Sequence, residues 1–207
     1  MSSLIDKAVS LAMPILGVRH ASPLEEIEVG KQRLLVAADG MYVEARSPSL
    51  HVRWRVAEST TPYGKVEPVL CPTNGPLPYT LVRAFVGATM HSPAVEIAAL
   101  IEAANGKGHQ LRYLDPISNG AGHVSYSDRD TNDDTLLVDM HSHGVFDAKF
   151  SRQDDDSDRS RRGPYVAVVV GNCNTSKPHI AARIVVAGHL IEVSQAQLLE
   201  AGFFNEP

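Results

Sequence analysis

The spacing of apolar and polar positions changes several times along this chain, and each change predicts an element. Between Arg33 and Ser47, the runs "RLLVA" and "MYVEA" flank Asp39-Gly40, a pattern that predicts a β-hairpin. "HVRWRVAE" (His51–Glu58) alternates with period two, as a half-buried strand does. In "YTLVRAFVGATMHS" (Tyr79–Ser92), Leu81, Val82, Phe85, Val86 and Met90 fall at near-helical spacing. "AVEIAALIEAA" (Ala94–Ala104) fits a helix or a strand equally well. Further on, "HQLRYLDPIS" predicts a strand ended by Pro116, and "HVSYSDRDTNDD" a short strand with a polar loop. "TLLVDMHSHG" reads as a buried strand. "YVAVVVG" and "IAARIVVAGHLIEVS" read as β runs, the second turning at Gly188. The N-terminal "AVSLAMPILGV" is interrupted by Pro14 and preceded by Lys7 beside Asp6, which predicts a packed helix or strand and not a signal peptide.

"CPTNGPLP" (Cys71–Pro78) puts three prolines and a glycine into eight residues, the composition of a boundary. The expected organisation is a small β-rich N-terminal domain over residues 1–75 and an α/β domain over residues 76–207, strands outnumbering helices.

Composition narrows the classes. The chain has 207 residues, 43% hydrophobic and 21% charged, with net charge −5. That balance suits a globular protein and argues against nucleic acid or an anionic membrane as a partner. Arg159–Arg162 follows acidic residues and reads as a solvated helix face. The two cysteines, Cys71 and Cys173, form no CxxC, so free thiols in a reducing cytoplasm are expected. No run reaches the length of a membrane span.

The chemistry concentrates in "VDMHSHGVFDAKFSRQDDDSD" (Val138–Asp158). On a strand, His141 and His143 share a face, so two imidazoles could reach one ion. Asp154 would add an oxygen, completing three ligands with a position left for water. Ser151 and Asp154 share one helical face, and Ser151 is also a good N-cap. A hydrolytic site needs a base, and Glu96, in the apolar "SPAVEIAALI", is the candidate. Glu102 is its rival, nearer the polar "NGKG". Alone, HxH is a weak signal among nine histidines, and the serine could be a cap and nothing more. The other histidines (His20, His51, His91, His109, His123, His179, His189) have no partner at metal spacing, and Cys173 is expected to be structural.

Taken together, Glu96, then "HSH" at 141–143, then Ser151-x-x-Asp154 after seven intervening residues, resembles the JAMM signature E…HxH(x7)SxxD of the JAB/MPN-type zinc metalloproteases, bacterial Prok-JAB group. The resemblance spans roughly Pro76 to Val193. It implies a JAB/MPN (cytidine-deaminase-like) domain with a mixed sheet and flanking helices, one Zn²⁺ on His141, His143 and Asp154, and Glu96 and Ser151 as catalytic groups. One departure is visible: the family usually has proline after the second histidine, and here stands Gly144. The β-rich N-terminal part more narrowly resembles the layout found in PRTRC-type mobile-element cassettes. That implies a ubiquitin-like protein tail as substrate, with E1/ThiF-like and E2-like proteins as associates. A deaminase site is excluded by the missing CxxC, and a metallo-β-lactamase-type site by Val145-Phe146 where HxHxDH needs other residues. The rival from another class is a non-catalytic scaffold or assembly protein on an MPN fold.

Overall fold

The computed structural model of the chain describes residues 4–104, 108–115, 118–120, 123–125 and 131–205. A helix α1 (Leu4–Ala12) leads into a five-stranded sheet of β1 (Ile15–Gly17), β2 (Gln32–Ala37), β3 (Gly40–Arg46), β4 (Leu50–Glu58) and β5 (Val69–Pro72), in that spatial order. The β2–β3 hairpin turns at Ala38-Asp39, and Gly40 takes φ +150° where a Cβ would meet Ala57. Helix α2 (Tyr79–His91) follows, then β6 (Ala98–Ala103) and β7 (His109–Tyr113). A separate two-stranded ribbon is formed by β8 (Ser118–Gly120) and β9 (His123–Ser125). The chain closes with β10 (Leu136–Ser142), α3 (Arg152–Ser160), β11 (Tyr165–Gly171), β12 (His179–Val186), β13 (His189–Val193) and α4 (Gln195–Glu200).

The second sheet runs β13-β12-β11-β10-β6-β7. Only β10 and β11 pair in parallel within it, because α3 and its loops supply the long crossover that parallel neighbours require. The fold is thus mixed α/β: a six-stranded mixed sheet with its helices, preceded by a β-rich region. In the ambiguous segment Ala94–Ala104, pairing decides the outcome. Residues 98–103 are a central strand because β10 and β7 flank them on both edges. Part of the polar loop expected after β9 lies outside the described residues.

The two sheets share one apolar cluster. It joins Val43, Leu50, Val52 and Leu70 of the first sheet to Ile101, Val138, Met140 and Val168 of the second and to Phe85 of α2. A buried hydrogen bond from Ser49 Oγ to Leu136 O (3.1 Å) adds to this contact. Between the sheets, Leu77 is fully buried, and its N–H donates to Phe203 O. On the far face of the first sheet, Glu44 is fully buried and accepts from Arg33 (2.6 Å), His51 (2.9 Å) and Arg53 (2.6 Å). Burial opposes ionisation of Glu44, but these three donors outweigh it and hold the carboxyl down to about 2.

Two expectations need correction. The N-terminal apolar segment forms α1 and β1, and β1 pairs with β2 and leads to the buried Val18, but the rest packs poorly: Leu11 is 84% exposed and Ile15 63%. Arg159–Arg162 is not uniformly a solvated face. Arg161 is largely buried, ion-paired with Asp133 (3.3 Å) and Asp139 (3.0 Å), and its guanidinium stands over the Tyr165 ring. No helix among the described residues is long and apolar enough to cross a membrane.

Candidate metal centre

His141 is the penultimate residue of β10, and His143 follows the strand's end. Between them Ser142 faces the opposite way and is fully buried. Its Oγ accepts from Ile97 N (3.0 Å) and its N–H donates to Ile97 O (2.9 Å). This stitch explains the xHxHx pattern: the outer residues share one face because the middle one is locked into the other. The two imidazoles turn the same nitrogen inward, with Nε2 atoms 3.2 Å apart.

The third group arrives on α3. Ser151 is its N-cap: Ser151 Oγ accepts from Asp154 N (3.2 Å), and Asp154 Oδ2 accepts from Ser151 N (2.6 Å). This capping box fixes the aspartate and leaves its carboxylate facing the histidines. Asp154 Oδ1 lies 3.3 Å from His141 Nε2, and Oδ2 lies 4.0 Å from His143 Nε2. In a tetrahedral zinc site with bonds of about 2.0–2.1 Å, donor atoms stand roughly 3.3 Å apart. The donor set and its spacing therefore fit Zn²⁺. Among the described residues, His141, His143 and Asp154 are the group of His, Cys, Asp and Glu side chains that could hold a metal ion.

The neighbouring aspartates divide the remaining work. Asp155 and Asp158 both clasp Arg183 of β12, at 2.6 and 2.7 Å, and Tyr165 donates to Asp158 (2.6 Å). Burial pushes the Asp158 carboxyl up against these two donors. Arg183 also stacks on Phe150, 3.8 Å from the ring centroid. An almost wholly polar helix is thereby seated over the sheet by charge, and Asp156 is left in solvent. The acidic burst is thus not a solvated loop. One carboxylate faces the histidines, two hold the helix down and one is exposed.

Glu96 lies in the loop before β6 and is buried. Ala98 pairs with His141, and Ile97 is bonded twice to Ser142. Continuing that register by one residue sets Glu96 opposite His143, on the face the two histidines share. The rival Glu102 sits at the far end of β6 and is engaged twice by Arg112 (2.8 and 3.1 Å). Ser151 does cap a helix, but the cap uses its oxygen as acceptor and leaves the hydroxyl proton available to donate.

Burial holds His141 down to about 4, against the pull of Asp154 and with help from His143 and Arg183. Its imidazole is therefore neutral near pH 7, the form that ligates metal. The departure at Gly144 has a geometric reason. Phe146 N donates to His143 O (3.0 Å), closing a turn with Gly144 at φ +57°. Val145 is not at positive φ, so the turn is of type II′, which takes glycine at its first central position. Proline, locked near −65°, cannot occupy it. A Cβ at Gly144 would also stand 2.6 Å from Pro93 O.

Residues 80–185, just over half of the chain, match the family described as prokaryotic homologs of the JAB domain, and residues 3–71 match a domain of unknown function (DUF2016). Among solved structures, protein DSY2949 from Desulfitobacterium hafniense, determined in solution, is similar. The likeness covers 56% of this chain and 88% of that one at 14% identity, with a TM-score of 0.44. No curated protein matches.

Proposed function

The chain belongs to the prokaryotic homologs of the JAB domain, and from that premise we propose that it is a zinc-dependent metallopeptidase hydrolysing a peptide or isopeptide bond. The observation that carries the proposal is the meeting of His141 Nε2, His143 Nε2 and the Asp154 carboxylate within 4.0 Å at the end of β10. Zinc held by these three groups would supply Lewis-acid polarisation of the attacking water and of the substrate carbonyl. Glu96, on the same face, accepts the water's proton and returns it to the leaving amine. The Ser151 hydroxyl donates to the developing oxyanion. Capping by Ser151 and the clasp on Arg183 keep Asp154 placed without cost at the moment of reaction.

The proposed substrate is the C-terminal tail of a ubiquitin-like protein, within a bacterial, cytoplasmic, PRTRC-like mobile-element system that also holds E1/ThiF-like and E2-like proteins. Support for this narrower reading is the motif order in residues 96–154 together with the β-rich region before it.

The test is incubation of the full chain with a ubiquitin-like protein joined through its C-terminus to a reporter, with and without a chelator. Chelator-sensitive cleavage, lost in Glu96→Gln, is the expected result. A zinc-loaded chain that cleaves neither peptide-linked nor isopeptide-linked reporter would favour the scaffold reading instead.

A further inference from the structure

His143 carries a second contact that the ligand set does not explain. Its Nδ1 lies 3.3 Å from the carbonyl oxygen of Asp147. A carbonyl can only accept, so His143 donates from Nδ1, and Nε2 is left bare toward the metal position. The 3.2 Å contact between the two Nε2 atoms then has His141 as donor in the metal-free chain.

What holds that carbonyl is a seat built from two places. Below it, β11 ends at Gly171, where a Cβ would stand 2.5 Å from the Asp147 carbonyl carbon and 2.5 Å from Phe146 O. These are backbone atoms, so any side chain at position 171 displaces the segment. Gly171 is not at positive φ, so close approach is its only reason. Asn172 N–H donates to Phe146 O (2.6 Å), fastening the segment to the strand end. Above, the Asp147 side chain is latched: Oδ2 to Lys149 Nζ (3.0 Å), Oδ1 to His179 Nδ1 (3.4 Å) and to Asn172 Nδ2 (3.4 Å). Ala148 N–H also donates to Oδ1 (3.1 Å), and Lys149 N–H shares the Asp147 carbonyl (3.0 Å).

We infer that Gly171 and Asp147 are positioning residues: together they hold the Asp147 carbonyl against His143 Nδ1 and so fix the tautomer and ring direction that present Nε2 to the metal. The inference rests on the metal reading of the site, and its test separates the two. In the metal-free chain, heteronuclear NMR of the histidine ring nitrogens should show His143 protonated at Nδ1 alone in the wild type. Asp147→Ala and Gly171→Ala should each give a mixture of tautomers. This arm reads out whether or not zinc binds. In the second arm, zinc alone is titrated against a chromogenic chelator, and each variant should bind about ten- to hundredfold more weakly than wild type. Asp147 is half exposed, so its replacement leaves the core intact if Gly171→Ala does not fold. A wild-type His143 protonated at Nε2, or wild-type tautomer and zinc affinity in Asp147→Ala, would overturn the inference. A wild type that has the Nδ1–H tautomer but takes up no zinc would sink the metal reading and leave the seat standing.

Discussion

Restoring the proline that the family usually carries after the second histidine should damage this protein. The reason is the φ of +57° at Gly144. Proline at −65° would have to rotate the backbone by roughly 120°, which opens the turn. Two backbone hydrogen bonds then fail: Phe146 N to His143 O (3.0 Å) and Cys173 N to Gly144 O (2.8 Å). At about 0.5–1.5 kcal/mol each, and with one buried partner left unsatisfied, the expected loss is about 2–4 kcal/mol. Gly144→Ala should also be less stable than wild type, by about 1–3 kcal/mol for a non-glycine residue held at positive φ, and its Cβ would stand 2.6 Å from the backbone oxygen of Pro93, so the loop must shift. Urea denaturation of wild type, Gly144→Ala and Gly144→Pro gives both losses directly, and chelator competition gives the zinc affinity of each. His143 begins the turn, so Gly144→Pro should also bind zinc more weakly. A proline variant with wild-type stability and zinc affinity would refute the turn argument.

Four further outcomes follow from the same geometry. Ser151→Ala should lose about 0.5–2 kcal/mol of stability as a cap. It should keep zinc, because Asp154 Oδ2 still accepts from the backbone N–H of residue 151, yet turn over about a hundredfold or more slower for want of the oxyanion donor; near-normal turnover would return the serine to capping alone. Glu96→Gln should bind zinc and lose cleavage, whereas Glu102→Gln should disturb only its pair with Arg112; inactivity confined to the latter would misplace the base. Because the Glu44 carboxyl is lowered from 4.5 to about 2 in the fold, its contribution is full above pH 4.5 and drains away as pH falls toward 2. That is worth about 3 kcal/mol, and Glu44→Gln should flatten the acid limb of the stability profile; an unchanged limb would contradict the assignment. Residues 76–207 alone expose the apolar face that Val43, Leu50, Val52 and Leu70 cover, so thermal melting should occur well below that of the full chain; equal melting temperatures would show that the second sheet needs no cover.

Local chemistry was the legible part of this sequence. The Asp39-Gly40 hairpin, the HxH pair on a strand end and the SxxD cap all depend on neighbours within a few residues, so spacing alone exposes them. What spacing hides is pairing between distant segments. The helix-or-strand ambiguity of "AVEIAALIEAA" (Ala94–Ala104) is resolved only by β10 and β7 on either side, which also bring Glu96 opposite His143. Arg161 looked solvated because Asp133 and Asp139 lie far away in sequence. The Glu44 network joins residues 33, 44, 51 and 53, which meet only through the register of three strands. The apolar stripe of α1 told of a helix but not of a surface to receive it. Gly144 was visible as a departure from a pattern, yet its cause is a backbone angle. Gly171 gave no sign, since close approach leaves no mark in a sequence.

The central claim is a three-ligand metal centre, and the most direct measurement is the zinc content of the purified chain beside that of His141→Ala and Asp154→Ala. About one zinc per wild-type chain and little in either variant is the expected result. A wild type that takes up no zinc, or full occupancy in both variants, would contradict it.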